Sequence, residues 1–557
     1  MPVEILESRI APASFVVTTL ADSGNGSLRS AITGADLSTD STNTILFVNK
    51  LEGSINLKSP LPAITNNMTI GGATTAKIAI NGENVFQLFN IQSPSNPITV
   101  TINDLILAHG NSQNGGGTNV QRGGGAIYIN DYSGTVTVNR CTITKNYAIG
   151  TSGATETDGV GAGIDLIAGK LNINTSFITG NLAVGGHGLN PGDHGANAKG
   201  GGLYVANSNG IVSILSTLFF KNAAVGGNGL TGTHGVNGAT DSTADGGQGG
   251  AGGVGQGGGI WSYGTITTNK STISGNVAYG GAGGSGGAGG NGAPGGSGGT
   301  GGPGGGAGNG FGGSVYSTGS LTLNSSTVSG NIALGNFGGR GGAGGRPGRG
   351  RGIFATGARG STLPRATGYG GGIHSNYATL DVVDSTIAQN LSDQGGGLFL
   401  YNNTSTKLEN STIAFNGAFQ GGQGGGLWSY LETGDPITVI STVIGQNATG
   451  MHGPGQDLFV SNGSITSTYS LIESYNAGSV TDPGTISTTI LGANPLLGAL
   501  GKNGGPTYTC RPLSFANLRI VSPLIGTGSN PLDLSRDQRG SPREIGMSTD
   551  IGAVEVA

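Results

Sequence analysis

The chain has 557 residues, 116 of them glycine, with 10% charged residues and a formal net charge of -4 at pH 7. Glycine's backbone entropy and the scarcity of long helix-forming side chains exclude a mainly helical protein. The near-neutral balance gives no reason to expect double-stranded nucleic acid or an anionic membrane as partner, and two distant cysteines, Cys141 and Cys510, exclude a disulfide framework or a metal cluster.

No apolar run is long enough to form a transmembrane segment, and the N-terminus lacks the apolar core of a signal peptide. Residues 1–14, MPVEILESRIAPAS, read as a leader or disordered N-terminus. Residues 15–110 predict a cap and the first coils of a solenoid. Ser27 is placed to cap a short helix over Leu28, Ala31 and Ile32 that plugs the first coil.

From 111 to 480 one unit recurs. It reads GGGAIYINDYSGTVTVNRCTITKN from Gly123, GGGIWSYGTITTNKSTISGN from Gly257 and GGSVYSTGSLTLNSSTVSGN from Gly312, with further copies ending at Asn181, Asn222, Asn390, Asn416 and Asn447. Each copy takes about 20 to 24 residues, one turn of a β-solenoid. Asn390 and Asn416, 26 residues apart, mark a coil without insertion. Inside a copy, β-branched residues alternate with polar ones, a period of two that means strand. The predicted fold class is therefore all-β, a single-stranded right-handed parallel β-helix.

The Asn closing each copy suits a sharp corner, where it tolerates a left-handed backbone and its amide can reach the Asn one coil away. An asparagine ladder is expected. After that Asn come four long glycine tracts, 185–202, 226–259, 280–313 and 335–372. They fall at one place in the unit, so they are insertions stacked along one flank. In 280–303 two glycines alternate with one variable residue, the period of an extended polyproline-II strand. Such legs either bundle through backbone hydrogen bonds or stay flexible.

Residues 481–557 read as a C-terminal cap region. In it Asp537, Arg539, Arg543 and Asp550 suggest a salt-bridge and turn network closing that end of the solenoid, since an uncapped end exposes strand edges.

Several of these motifs resemble known groups. The opening MPVEILESRIAPAS resembles the LEPR-type leader of large bacterial surface proteins, and FVVTTLADSGNGSLRSAI, Phe15 to Ile32, resembles the start of bacterial β-helix surface proteins with a CSLREAI-type motif. The end resembles their choice-of-anchor Q region, with ANPLLGALGKNGGPTYT from Ala493, SPLIGTG from Ser522, DQRGSPR from Asp537 and DIGAVE from Asp550. The repeats are similar to those of polymorphic outer-membrane adhesins, matched here by Gly124-Gly125-Ala126-Ile127 and by Phe219 to Asn222. These resemblances imply a pectin-lyase-like solenoid that is secreted or held at the surface of a bacterial outer envelope. The terminal transporter barrel of the adhesins has no counterpart in the repeats read here, so no self-made pore is implied.

Aligning the copies after their glycines gives an inward column, Ile127, Ile164, Leu203, Ile260, Val315, Ile373, Leu398 and Leu427. The next residue in each copy points outward: Tyr128, Asp165, Tyr204, Trp261, Tyr316, His374, Phe399 and Trp428. Coils about 4.8 Å apart turn these into an aromatic stripe, with Tyr263, Tyr401 and Tyr430 beside it. Such a stripe is a surface for sugar faces, or else rings stacked on one another and covered by the glycine loops. The tract 335–372 carries Arg340, Arg346, Arg349, Arg351, Arg359 and Arg365 without an acid. It suits anionic polysaccharide, lipopolysaccharide or single-stranded nucleic acid, or is a solvated loop.

A polysaccharide lyase or glycoside hydrolase on this fold needs grouped carboxylates on one outward sheet. Asp165 and Glu409 are solitary in the aligned copies, and Asp381 and Asp384 share one copy without acidic partners at matching positions in adjacent copies. His187, His194 and His234 lie in glycine tracts without metal or triad spacing and read as surface accidents. The sequence thus points to a non-catalytic surface or secreted β-helix acting in adhesion, matrix contact or glycan binding. It calls for no cofactor and no metal; a polysaccharide enzyme and a purely structural envelope protein are the alternatives.

Overall fold

A computed structural model describes residues 13–72, 77–112, 122–152, 157–239, 242–350, 355–419, 421–432, 437–450, 456–483, 487–515, 520–544 and 548–556. The leader proposed for 1–14 lies almost wholly outside them.

The repeat builds a stack of parallel sheets. One lap runs through Gly255–Gln256, Ile260–Ser262, Thr265–Asn269, Thr272–Ser274 and Val277–Tyr279. Each of these strands pairs in parallel with its counterpart one copy on, Gly310–Phe311, Val315–Ser317, Ser320–Asn324, Thr327–Ser329 and Ile332–Leu334. Continued along the chain, this gives parallel sheets of 22, 13, 8 and 6 strands. Like side chains therefore lie over like. Ile260 sits over Val315, Ile273 over Val328 and Ala278 over Ala333, and all are buried in the core between the sheets. The all-β, parallel β-helix-like solenoid read from the repeat is the fold observed.

Each lap turns corners at residues of positive φ, and two of these corners are lined by ladders of side chains. At the second corner the buried Asn amides link coil to coil. Asn146 donates to Asn181 at 2.9 Å, Asn181 to Asn222 at 2.8 Å and Asn222 to Asn276 at 3.0 Å, and the chain of bonds continues through Asn331, Asn390, Asn416 and Asn447 to Asp457. The left-handed residue, however, is the one before the Asn: Lys145, Lys221, Gln389, Phe415 or Gln446, and glycine in other copies. The Asn is selected for its amide, not for its backbone. A second ladder went unread in the sequence. At the first corner the backbone N–H of Cys141 donates to Ser176 Oγ, Ser176 to Thr217, Thr217 to Ser271 and Ser271 to Ser326. Both ladders satisfy polar groups that a closed coil removes from water, each of which would otherwise cost about 1–3 kcal/mol.

The N-terminal end closes as expected. Ser27 Oγ accepts the N–H of Ser30 and caps the helix Leu28–Leu37, whose Leu28, Ala31, Ile32 and Ala35 are buried in the core. The C-terminal segment behaves differently from the predicted cap. After the strand Ile490–Leu491 the chain doubles back along the outside of the 13-stranded sheet. Leu497, Cys510, Leu524 and Ile551 cover Ala388, Ala414, Val443 and Leu471, and Gln538 reaches Thr386 Oγ1 at 2.6 Å and Thr327 Oγ1 at 3.0 Å. The ionic network exists, but as a strap on the flank. Arg539 pairs with Asp537 at 2.7 Å, and the fully buried Arg543 lies 3.6 Å from Asp384. Both cysteines are buried free thiols.

The glycine tracts form an ordered bundle. The outgoing leg of 280–313 donates from Gly281, Gly284, Gly287 and Gly290 to Gly253, Gly250, Gly247 and Ala244 of the preceding tract. From Gly283, Gly286, Gly289 and Gly292 it donates to Phe337, Arg340, Ala343 and Arg346 of the next. Two of every three amides thus bond to backbone, while at the third position Ala282, Ala288 and Asn291 donate to side chains of the preceding tract, Asn228, His234 and Asn237. A Cβ on Gly287 would stand 1.7 Å from the carbonyl oxygen of Thr233, and one on Gly286 1.8 Å from that of Gly302. That close approach explains the composition: no other residue fits. The histidines are part of this order. Nδ1 of His187, His194 and His234 accepts the backbone N–H of Asn228, Ala251 and Ala288 at 2.8, 2.7 and 3.0 Å, which corrects their reading as surface accidents.

Candidate functional site

The outward column is in register from coil to coil: Tyr128 over Asp165, Asp165 over Tyr204, then Trp261, Tyr316, His374, Phe399 and Trp428. Phe459 extends it by one coil. The rings stack. Tyr204 and Trp261 are 4.7 Å apart, Trp261 and Tyr316 6.0 Å, and Phe399 and Trp428 4.2 Å with their planes 2° from parallel. Tyr377, Tyr401 and Tyr430 form a second, shorter ladder beside it.

Most of the stripe is roofed. Tyr204 and Trp261 are 3% exposed, Phe399 5% and Tyr316 9%, while Tyr128 and Trp428 are half-buried. The roof comes from the residue just before each glycine corner. Val160 belongs to one buried cluster with Tyr204, Trp261 and Tyr316, Lys199 holds its ammonium 5.6 Å from the Trp261 ring while paired with Asp158, and Phe311 stacks on Tyr369. This column was legible as the side chain preceding Gly-Gly in each copy, but nothing in the spacing says that its strand folds down beside the stripe. Within the roofed part, burial holds the Asp165 carboxyl well above its ordinary range.

Where the roof changes from rings to amides a cleft opens. Tyr369 belongs to the last strand of the six-stranded sheet, and one coil on the matching position is Gln394, joined to Tyr369 by a single bridge. The cleft measures about 460 Å³. Its rings are Phe311, Tyr316, Tyr369, Phe399, Tyr401 and Trp428, and between them stand the amides of Gln256, Asn309, Asn376 and Gln394. His374 lies in its floor between Tyr316 and Phe399, at 5.0 and 4.9 Å. Burial pushes its imidazole down to about 3, so it is uncharged at neutral pH. The buried His374 Nδ1 has no hydrogen-bond partner among the described residues. Asn376 donates to the Tyr316 hydroxyl at 3.2 Å and orients it.

The residues lining this cleft carry no carboxylate and no cation. Asp393, just behind it, is committed to Arg365 at 3.0 Å and to the N–H of Gly368. Asp381 faces Lys407 in the next coil, Asp384 is covered by Arg543 of the strap, and no cluster among the described residues could hold a metal ion. Of the basic tract, Arg340, Arg346, Arg349 and Arg359 are exposed. Arg351 lies outside the described residues.

Fold and cleft together define a parallel β-helix-like protein with an uncharged aromatic and amide site on its long face. No protein-family model matches the chain, and no curated protein matches it.

Proposed function

We propose that this protein is a non-catalytic, secreted or cell-surface β-helix of bacterial type that binds glycan in the cleft around Tyr369, Phe399 and Trp428. The observation that carries this reading is the composition of the site. Flat apolar rings suit the C–H faces of a pyranose, while side-chain amides and an uncharged imidazole offer both donors and acceptors to its hydroxyls. The upstream rings Tyr204 and Trp261, being covered, serve the stack itself. The resemblance of the two ends to bacterial surface β-helix proteins favours the outer envelope as its place.

Glycoside hydrolysis in its usual form needs a pair of carboxyl groups at the bound sugar, and the cleft's lining carries no carboxylate. The test is a glycan array with the intact protein, followed by Trp428→Ala and Tyr369→Ala. Binding is expected, with a loss of roughly tenfold or more for each variant. Unchanged binding in both variants removes the cleft from the reading, and release of reducing sugar by the intact protein replaces it with an enzyme.

A further inference from the structure

The last tract of the bundle differs from its neighbours in charge. Tract 280–313 contains no charged residue, whereas 335–350 contains arginines and no acid. The three-residue period of the leg puts Phe337, Arg340, Ala343 and Arg346 at equivalent surface positions, since these are the residues whose carbonyls accept from the preceding leg. Arg349 stands three residues further. At about 3.1 Å per residue, Arg340 and Arg346 are about 19 Å apart along a straight leg and Arg346 and Arg349 about 9 Å. From the returning leg Arg359 crosses back and donates its Nε to the carbonyl of Gly341 at 3.3 Å. Unlike Arg365, none of these four is in an ion pair among the described residues.

We infer that this leg is a docking rim for a linear acidic polysaccharide. Three features carry the inference. Arg340 and Arg346 are exposed at equivalent positions of one extended leg, with the exposed Arg349 beyond them, so they match a partner that is extended and carries charge at intervals. Guanidinium forms paired hydrogen bonds with carboxylate or sulfate groups. The backbone beneath is already fixed by Gly339, Gly342, Gly345 and Gly348, which donate to Gly305, Gly302, Gly299 and Gly296, so binding does not have to order the loop. Single-stranded nucleic acid is the less suited polyanion, because its binders interleave cations with stacking rings and the described part of this leg carries one ring, Phe337, at its base. The rim is distinct from the cleft and stands whether or not the cleft binds sugar.

The experiment measures binding of the intact protein to polygalacturonate, with dextran as the uncharged control and oligothymidylate as competitor, over a series of salt concentrations. Polygalacturonate is expected to bind and dextran not, with affinity falling as salt rises. The triple variant Arg340→Gln, Arg346→Gln, Arg349→Gln is expected to bind roughly tenfold or more weakly and with a shallower salt dependence. These side chains are exposed, and unchanged amide protection at Gly339 and Gly342 verifies that the leg remains folded. Lys170→Gln, an exposed cation outside both the tract and the cleft, leaves polygalacturonate binding intact, which assigns the loss to the rim. No binding by the intact protein, or equal binding by the triple variant, overturns the inference. So does tighter binding of oligothymidylate, which would assign the rim to nucleic acid. Self-association of the triple variant with undiminished polygalacturonate binding would make the arginines guards of an open edge.

Discussion

The solenoid body and the glycine bundle share one vertical repeat yet are held together by opposite means. In the body, Ile, Leu and Val from every coil fill the space between sheets, and Asn and hydroxyl ladders settle the buried polar groups. In the bundle there is almost no side chain to bury. Legs approach until a Cβ would overlap a carbonyl oxygen, and the cohesion is a lattice of backbone hydrogen bonds. One region tolerates many sequences of the right pattern; the other tolerates one residue type at two positions in three.

Ile273→Ala should break the body most severely. It removes a fully packed side chain between Phe219 and Val328, with a loss of about 2–5 kcal/mol in denaturant unfolding. Asn276→Ala should cost less, about 1–3 kcal/mol, by leaving the N–H of Asn222 without its acceptor. Gly287→Val should do the reverse of both: amide exchange becomes fast through 280–308 while the body unfolds at nearly its original denaturant concentration. If the body unfolds with it, the two regions are one cooperative unit and the contrast fails.

The strap sharpens the comparison through pH, because it docks with buried carboxyls, whereas the bundle is held mainly by backbone hydrogen bonds. Burial raises Asp384 from 3.8 to about 8 and Glu555 from 4.5 to about 7. Both carboxyls are favoured protonated when the strap is docked, so their contribution is complete below the unfolded values and is lost as pH rises through the docked ones. Limited proteolysis of 520–544 should therefore accelerate between about pH 4 and pH 8, with no matching acceleration of cleavage within 280–308.

Much of this was readable in advance. The coil register, the inward column, the Asn ladder and the helix capped by Ser27 follow from periodicity and from residues whose chemistry admits few positions. The hydroxyl ladder was equally present, as the Cys, Ser or Thr preceding each second-sheet strand, but a small polar residue near a turn has a ready local explanation. The strap's return path left its trace where the outward positions turn apolar at Ala388, Ala414, Val443 and Leu471. Direction of travel, however, is a long-range property that spacing does not encode. For the same reason the sequence places Trp261 and Phe399 on the outward face and leaves both readings, open or covered, standing. Outward from a strand equals exposed only when no second element lies over it.

The cleft owes its position to where the run of insertions stops. Because each inserted tract brings its own covering side chain, the opening marks the boundary between decorated and plain coils. Deleting or adding one tract would slide that boundary by a rung along the stripe, toward Trp261 in one direction or Phe459 in the other. Such an architecture allows new specificities to arise by changing the number of loops, with the underlying scaffold left as it is.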